Sequence, residues 1–142
     1  MPTKPEAALY KRVRENLKDC LITRLESRTG LGIPDCLLGF GPLTPGFALL
    51  ELKVVKGGYK VRLSPHQVAF SQKHAALGCP VFILVQRYHT ADATAKDSDL
   101  LLFSGSQAAD LVTQGLKITP LAEFPTLQAD WSSIKALFVA DF

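Results

Sequence analysis

The sequence has no apolar stretch approaching the roughly 20 residues that a membrane-spanning helix needs. Its first residues, MPTKPEAALYKR, lack the apolar core of a signal peptide, so no export signal is expected. Cysteine is scarce. Cys20, Cys36 and Cys79 form an odd, widely spaced set with no CxxC, which argues against a disulfide framework and against a zinc site. Internal repeats and low-complexity tracts are absent. Net charge is small, +3 from 16 Lys/Arg against 13 Asp/Glu, while 47% of the 142 residues are hydrophobic; together these exclude a disordered chain. The expectation is one domain over residues 1–142, cytoplasmic and without membrane contact.

The charge that is present is unevenly placed. Residues 1–87 carry 13 Lys/Arg and 6 Asp/Glu, whereas residues 88–142 carry 3 and 7. A basic face favours a phosphate-bearing partner, because cations that neutralise phosphates release counterions. Solvated faces and chance clustering account for the same numbers.

Thr3-Lys4-Pro5-Glu6 reads as a helix start, and Leu9, Val13 and Leu17 recur every fourth residue, so a helix is predicted over 4–19. A strand is predicted over 21–25, then a loop with Gly30 and Gly32. Two apolar runs, 35–40 and 47–55, flank Gly41-Pro42-Leu43-Thr44-Pro45-Gly46 and read as a hairpin. Lys56-Gly57-Gly58-Tyr59-Lys60 reads as a mobile basic loop. Ser64-Pro65-His66-Gln67 opens a second helix to about Leu77, closed by Gly78. Val81–Val85 is an unbroken apolar strand. A polar stretch to Asp99, a strand over 100–103, and helices over 107–116 and 131–138 complete a mixed α/β arrangement with a central sheet flanked by helices.

The predicted sheet holds charges at its centre. Residues two apart on a strand share a face, so Glu51 and Lys53 lie together while Leu50, Leu52 and Val54 take the other face. A hairpin loop centred on Leu43 sets Phe40 opposite Gly46 and Asp35 opposite Glu51. Opposed residues of an antiparallel pair project to one face with Cβ atoms about 5 Å apart, so two carboxylates are juxtaposed. Their repulsion would be removed by a hard divalent cation such as Mg²⁺, or Lys53 could pair with both acids as a plain surface cluster.

Pro34-Asp35 followed by Glu51-Leu52-Lys53 resembles the PD-(D/E)xK nuclease superfamily. With Gly32-Ile33-Pro34-Asp35, Leu50-Glu51-Leu52-Lys53, Leu63-Ser64-Pro65-His66-Gln67 and Gly78 before the strand, residues 5–87 are similar to the virus-type replication-repair nuclease (VRR-NUC) family, in a stand-alone, phage-type form. The resemblance implies a restriction-endonuclease-like core, αβββαβ, with a C-terminal strand/helix extension over 88–142. It implies Mg²⁺- or Mn²⁺-dependent phosphodiester hydrolysis with Asp35, Glu51 and the Leu52 carbonyl on the metal. Lys53 would act on the attacking water, Gln67 would lie near the metal, and Glu6 would stand as the early-helix glutamate.

Each outer assignment has a plainer alternative. Ser64-x-x-Gln67 and Thr3-x-x-Glu6 are both capping boxes, and Glu15 competes with Glu6 but has cationic neighbours along its helix. DNA contacts are expected from Arg28, Lys56, Tyr59, Lys60, Arg62 and His66, with solvated turns and surface residues as the alternative. Cys36 is expected in the core, and Trp131 in the core or at an interface. Three functions follow: a homodimeric Holliday-junction resolvase acting on branched double-stranded DNA, a monomeric flap, end-processing or nicking nuclease, or a DNA-binding module without catalysis.

Overall fold

The computed structural model describes residues 4–25 and 31–140. Helix α1 (Lys4–Asn16) forms where Leu9 and Val13 recur four residues apart, and both are fully buried. It ends short of the expected residue 19. Asn16 turns its side-chain amide back onto the Arg12 carbonyl at 2.8 Å, and the chain then bends so that Leu17 and Cys20 still enter the core. Thr3, the expected cap, lies outside the described residues.

Strands β1 (Leu21–Arg24), β2 (Cys36–Phe40) and β3 (Gly46–Lys56) form an antiparallel meander. Helix α2 (Pro65–Ala76) then carries the chain to β4 (Val81–Tyr88), which runs parallel to β3. This is the expected αβββαβ order. Strand β5 (Ser98–Ser104), helix α3 (Ala108–Gln114), strand β6 (Ala122–Pro125) and helix α4 (Trp131–Val139) follow. The six strands lie in chain order in one mixed sheet, antiparallel except at β3–β4. Strand β6 is additional to the sequence reading. It is four residues long and ends on a proline, too short for a period-2 signal.

Alternation along β3 separates two apolar layers. Leu50 and Leu52 join Leu9 and Val13 of α1, Phe82 and Leu84 of β4, and Ile134 and Phe138 of α4. Val55 joins Ile83, Val85, Leu101 and Phe103 with Ala108 and Leu111 of α3 on the other face. Each buried Leu or Phe contributes about 1.5–3 kcal/mol, so the period-2 pattern of β3 strongly favours one register. Cys36 is buried in the first layer, where burial, more than the neighbouring Asp35 charge, pushes its thiol up to about 12. Trp131 packs half-buried on the same layer. Lys135 of α4 is ion-paired with Asp19 ahead of β1, which ties the last helix to the first strand.

The β2–β3 register pairs Cys36 with Leu50 and Phe40 with Gly46, as a loop centred on Leu43 requires. The ladder ends there, with Asp35 just ahead of the strand, and the expected Asp35–Glu51 pair is not part of it. Among the described residues no helix is long and apolar enough to cross a membrane.

Candidate active site

Glu51 and Lys53 project from the middle of β3 on the face away from α1, beside Ile83 and Val85 of β4. Asp35 stands at the head of β2, and its Oδ2 accepts a hydrogen bond from the Leu52 N–H at 2.8 Å. The Leu49 N–H bonds the Pro80 carbonyl on the β4 side, so odd-numbered backbone groups of β3 face β4 and even-numbered ones face β2. The β2 ladder ends at Cys36–Leu50. The Leu52 N–H and carbonyl therefore face the Asp35 side, beyond the last ladder pair.

Gln67 joins the cluster from α2. Its Oε1 accepts from Lys53 Nζ at 3.2 Å, and its Nε2 donates to Glu51 Oε1 at 3.2 Å. The same Oε1 accepts from the Ser64 N–H at 2.9 Å, while Ser64 Oγ accepts from the Gln67 N–H at 3.1 Å. The capping box is therefore real, and it also orients the amide toward β3. One side chain thus makes both the cap and the contacts with Lys53 and Glu51.

Gly32 lets this helix start come close. Its φ is +77°, and a Cβ there would lie 2.2 Å from the His66 carbonyl oxygen and 2.6 Å from the Gln67 nitrogen. The loop ahead of Pro34-Asp35 thus packs directly on the backbone of His66 and Gln67. The His66 side chain itself stays exposed.

Glu51 is only 4% exposed. Burial first, and then the neighbouring Asp35 charge, push its carboxyl up to about 9; the Lys53 charge acts in the opposite direction, and the Glu6 charge adds to the rise. Lys53 forms no close ion pair with Asp35 or Glu51 among the described residues, so the surface salt-bridge alternative is not what forms. A dication suits this arrangement. The available donors are oxygens, two carboxylates and the Leu52 carbonyl, and a nearby double charge would favour the ionised form of Glu51. No cluster of three or more His, Cys, Asp or Glu side chains with metal-binding geometry occurs among the described residues.

Glu6 and Lys53 both line a cleft of about 330 Å³, together with Lys56, Lys60 and Arg62. Glu15, its competitor, is exposed and pairs with Lys11 at 3.9 Å. Arg28 lies outside the described residues.

The loop after β3 is not mobile as expected. The Gly57 N–H bonds the Tyr88 carbonyl at 2.9 Å, Arg87 Nε donates to the Gly58 carbonyl at 2.8 Å, and the Leu116 N–H donates to the Tyr59 carbonyl at 2.8 Å. Residues far along the chain hold it, which its own glycine-rich composition could not reveal. The Tyr59 ring carries the Arg87 guanidinium 4.5 Å and the Lys117 ammonium 5.8 Å from its centroid. Sequence reasoning missed both cations. The period-2 parity of β4 places Arg87 on the Lys53 face; nothing local marks Lys117.

No protein-family model and no curated protein sequence matches the chain. In three dimensions it is similar to a VRR_NUC domain. The two share 18% identity with a TM-score of 0.47, over 79% of this chain and 98% of that domain. It is also similar to Hjc, a Holliday junction resolvase from the archaeal hyperthermophile Archaeoglobus fulgidus, at 16% identity and a TM-score of 0.46, over 73% of this chain and 75% of that one.

Proposed function

We propose that this chain is a metal-dependent DNA endonuclease of the VRR-NUC type, acting as a homodimeric Holliday-junction resolvase on branched double-stranded DNA. One observation carries the reading. Asp35, Glu51, Lys53 and Gln67 converge, with Gln67 hydrogen-bonded to both Lys53 and Glu51 and the Asp35 carboxylate accepting from the Leu52 N–H between them. The sequence motifs around these residues agree with that constellation.

Asp35, Glu51 and the Leu52 carbonyl would hold Mg²⁺ or Mn²⁺, with Glu6 as a further carboxylate from α1. The metal, when bound, supplies Lewis-acid stabilisation of phosphoryl charge and a lowered pKa for its water. Lys53, a compact ammonium tethered by the Gln67 carbonyl oxygen, orients the attacking water and offsets the charge that grows on the phosphoryl oxygens. Gln67 holds Lys53 and Glu51 in register through two ends of one amide. Lys56, Lys60 and Arg62 in the adjoining cleft bind DNA phosphates without reading sequence.

The resolvase reading rests on fit between symmetry and substrate. A two-fold dimer sets two sites on a two-fold four-way junction.

The test is cleavage of labelled four-way junction, 5′-flap, splayed-arm and plain duplex DNA, each with Mg²⁺, Mn²⁺ or EDTA. Paired symmetric cuts in the junction, lost in EDTA and in Glu51→Ala, are expected, together with a dimer by size exclusion with light scattering. Preferred cutting of flaps or ends by a monomer would replace the resolvase with an end-processing nuclease. Binding with no cleavage in either metal would leave a DNA-binding module.

A further inference from the structure

Arg87 of β4 and Lys117 of the C-terminal extension meet on one aromatic ring, and Arg87 lies on the same side of the sheet as the proposed catalytic lysine. In the parallel β3–β4 pair, Lys53 lies beside Val85 and Val55 beside Arg87, so Arg87 sits two residues farther along, on the face of Glu51 and Lys53. That displacement is roughly 7 Å along the strand. Lys117 comes from the turn after α3 and meets the same aromatic ring, Tyr59, which is 48% exposed.

Several independent contacts hold this arrangement. Arg87 donates through Nε to the Gly58 carbonyl, and the Leu116 N–H donates to the Tyr59 carbonyl. Gly115 has φ +65°, and a Cβ there would lie 2.3 Å from the Tyr59 carbonyl oxygen, so only glycine lets the segment before Lys117 approach so closely. No ion pair among the described residues involves Arg87 or Lys117. Asp99 stands opposite Arg87 across β4–β5, but its Oδ2 is held by His89 Nε2 at 2.8 Å. The result is two cations braced on a fixed aromatic ring, whose neighbour in the chain, Lys60, lines the cleft with Lys53, Lys56 and Arg62.

We propose that Arg87 and Lys117, braced on Tyr59, hold the DNA backbone within about two nucleotides of the scissile phosphate, so that the C-terminal extension supplies part of the substrate-binding surface. The inference rests on the nuclease reading. Its scale follows from the strand geometry, since roughly 7 Å is covered by the rise of about two nucleotides on one DNA strand. A cation on an aromatic face retains its outward donors for an anion. A positively charged track of this kind positions the backbone and carries no sequence information.

The experiment is fluorescence anisotropy with a labelled four-way junction and an equal-length duplex, in EDTA, over a range of salt concentrations. Lys117→Ala is the primary variant, because the Lys117 side chain is exposed and the Leu116 anchor is a backbone bond. Arg87→Gln and Arg87→Lys accompany it, with thermal melts of each. Lys117→Ala and Arg87→Gln are each expected to raise Kd by about 3–10-fold and to reduce the log–log salt slope by about 0.9, while Arg87→Lys retains the wild-type slope. A junction with a neutral methylphosphonate at the contacted position, within about two nucleotides of the cut, should remove the Lys117→Ala penalty, as coupled partners do. Wild-type Kd and slope in both variants would overturn the inference. Wild-type protein that binds and cuts DNA while the variants behave normally refutes this inference alone; a chain that binds no DNA refutes it together with the nuclease reading.

Discussion

Replacing Glu51 with Gln should stabilise the metal-free protein, and increasingly so as pH rises. In the folded chain the Glu51 carboxyl is pushed up to about 9 from an ordinary 4.5, first by burial and then by Asp35. The folded state therefore keeps a proton that the unfolded state releases. The group's contribution to stability is fully present below pH 4.5 and is lost as pH rises through about 9. For scale, keeping a carboxyl protonated rather than charged costs about 1.4 kcal/mol per pH unit above 4.5, so an offset of at least about 3 kcal/mol builds up by pH 8.5. The substituted amide would avoid that charge, and its side-chain oxygen would still accept from Gln67 Nε2. At about 3–4 °C per kcal/mol for a chain of this size, Glu51→Gln should melt about 10 °C above wild type at pH 8.5 in EDTA and close to it at pH 4.5. Millimolar Mg²⁺ should raise the wild-type Tm and leave the variant unmoved. The assay is a thermal melt by circular dichroism across pH with and without metal. A Glu51→Gln offset that does not grow with pH, or that is negative at pH 8.5, would refute the reasoning.

Further outcomes are expected around the same cluster. Lys53→Ala should cut single-turnover cleavage of junction DNA by about 10²–10³-fold while DNA binding persists; cleavage at the wild-type rate would remove Lys53 from the chemistry. Gln67→Glu keeps the acceptor that caps α2 but loses the donor to Glu51 and adds a carboxylate beside it, so cleavage should fall while helix content in circular dichroism is retained. Gln67→Ala should in addition lower stability by about 1 kcal/mol, read by denaturant titration. Gly32→Ala places a methyl group against the His66–Gln67 backbone and should destabilise by about 1–3 kcal/mol, with loss of cleavage exceeding what unfolding explains.

The hairpin was legible because its boundaries are chemical. Pro42, Pro45 and flanking glycines fix where the loop can lie, and the loop centre then sets the partners from Phe40–Gly46 to Cys36–Leu50. Gln67 was legible through its cap spacing, although the spacing alone could not show that one amide both caps and bridges. Elements defined by distant contacts were not legible. Strand β6 exists through its pairing with Leu100 and its neighbours in β5, and four residues ending on Pro125 carry no period of their own. The loop at Gly57–Lys60 reads locally as loose, yet it is fixed by Arg87, Tyr88 and Leu116.

The double duty of Gln67 makes the candidate site a cooperative unit. Helix ends are ordinarily the first segments to open, and such openings are usually harmless to what lies elsewhere. Here, opening the first turn of α2 releases the tether on Lys53 and the donor on Glu51 in the same event. Fraying and disassembly of the site are thus a single equilibrium. The Gln67 amide proton, held by Ser64 Oγ, reports on it directly. Its exchange with solvent measures how often the whole arrangement comes apart.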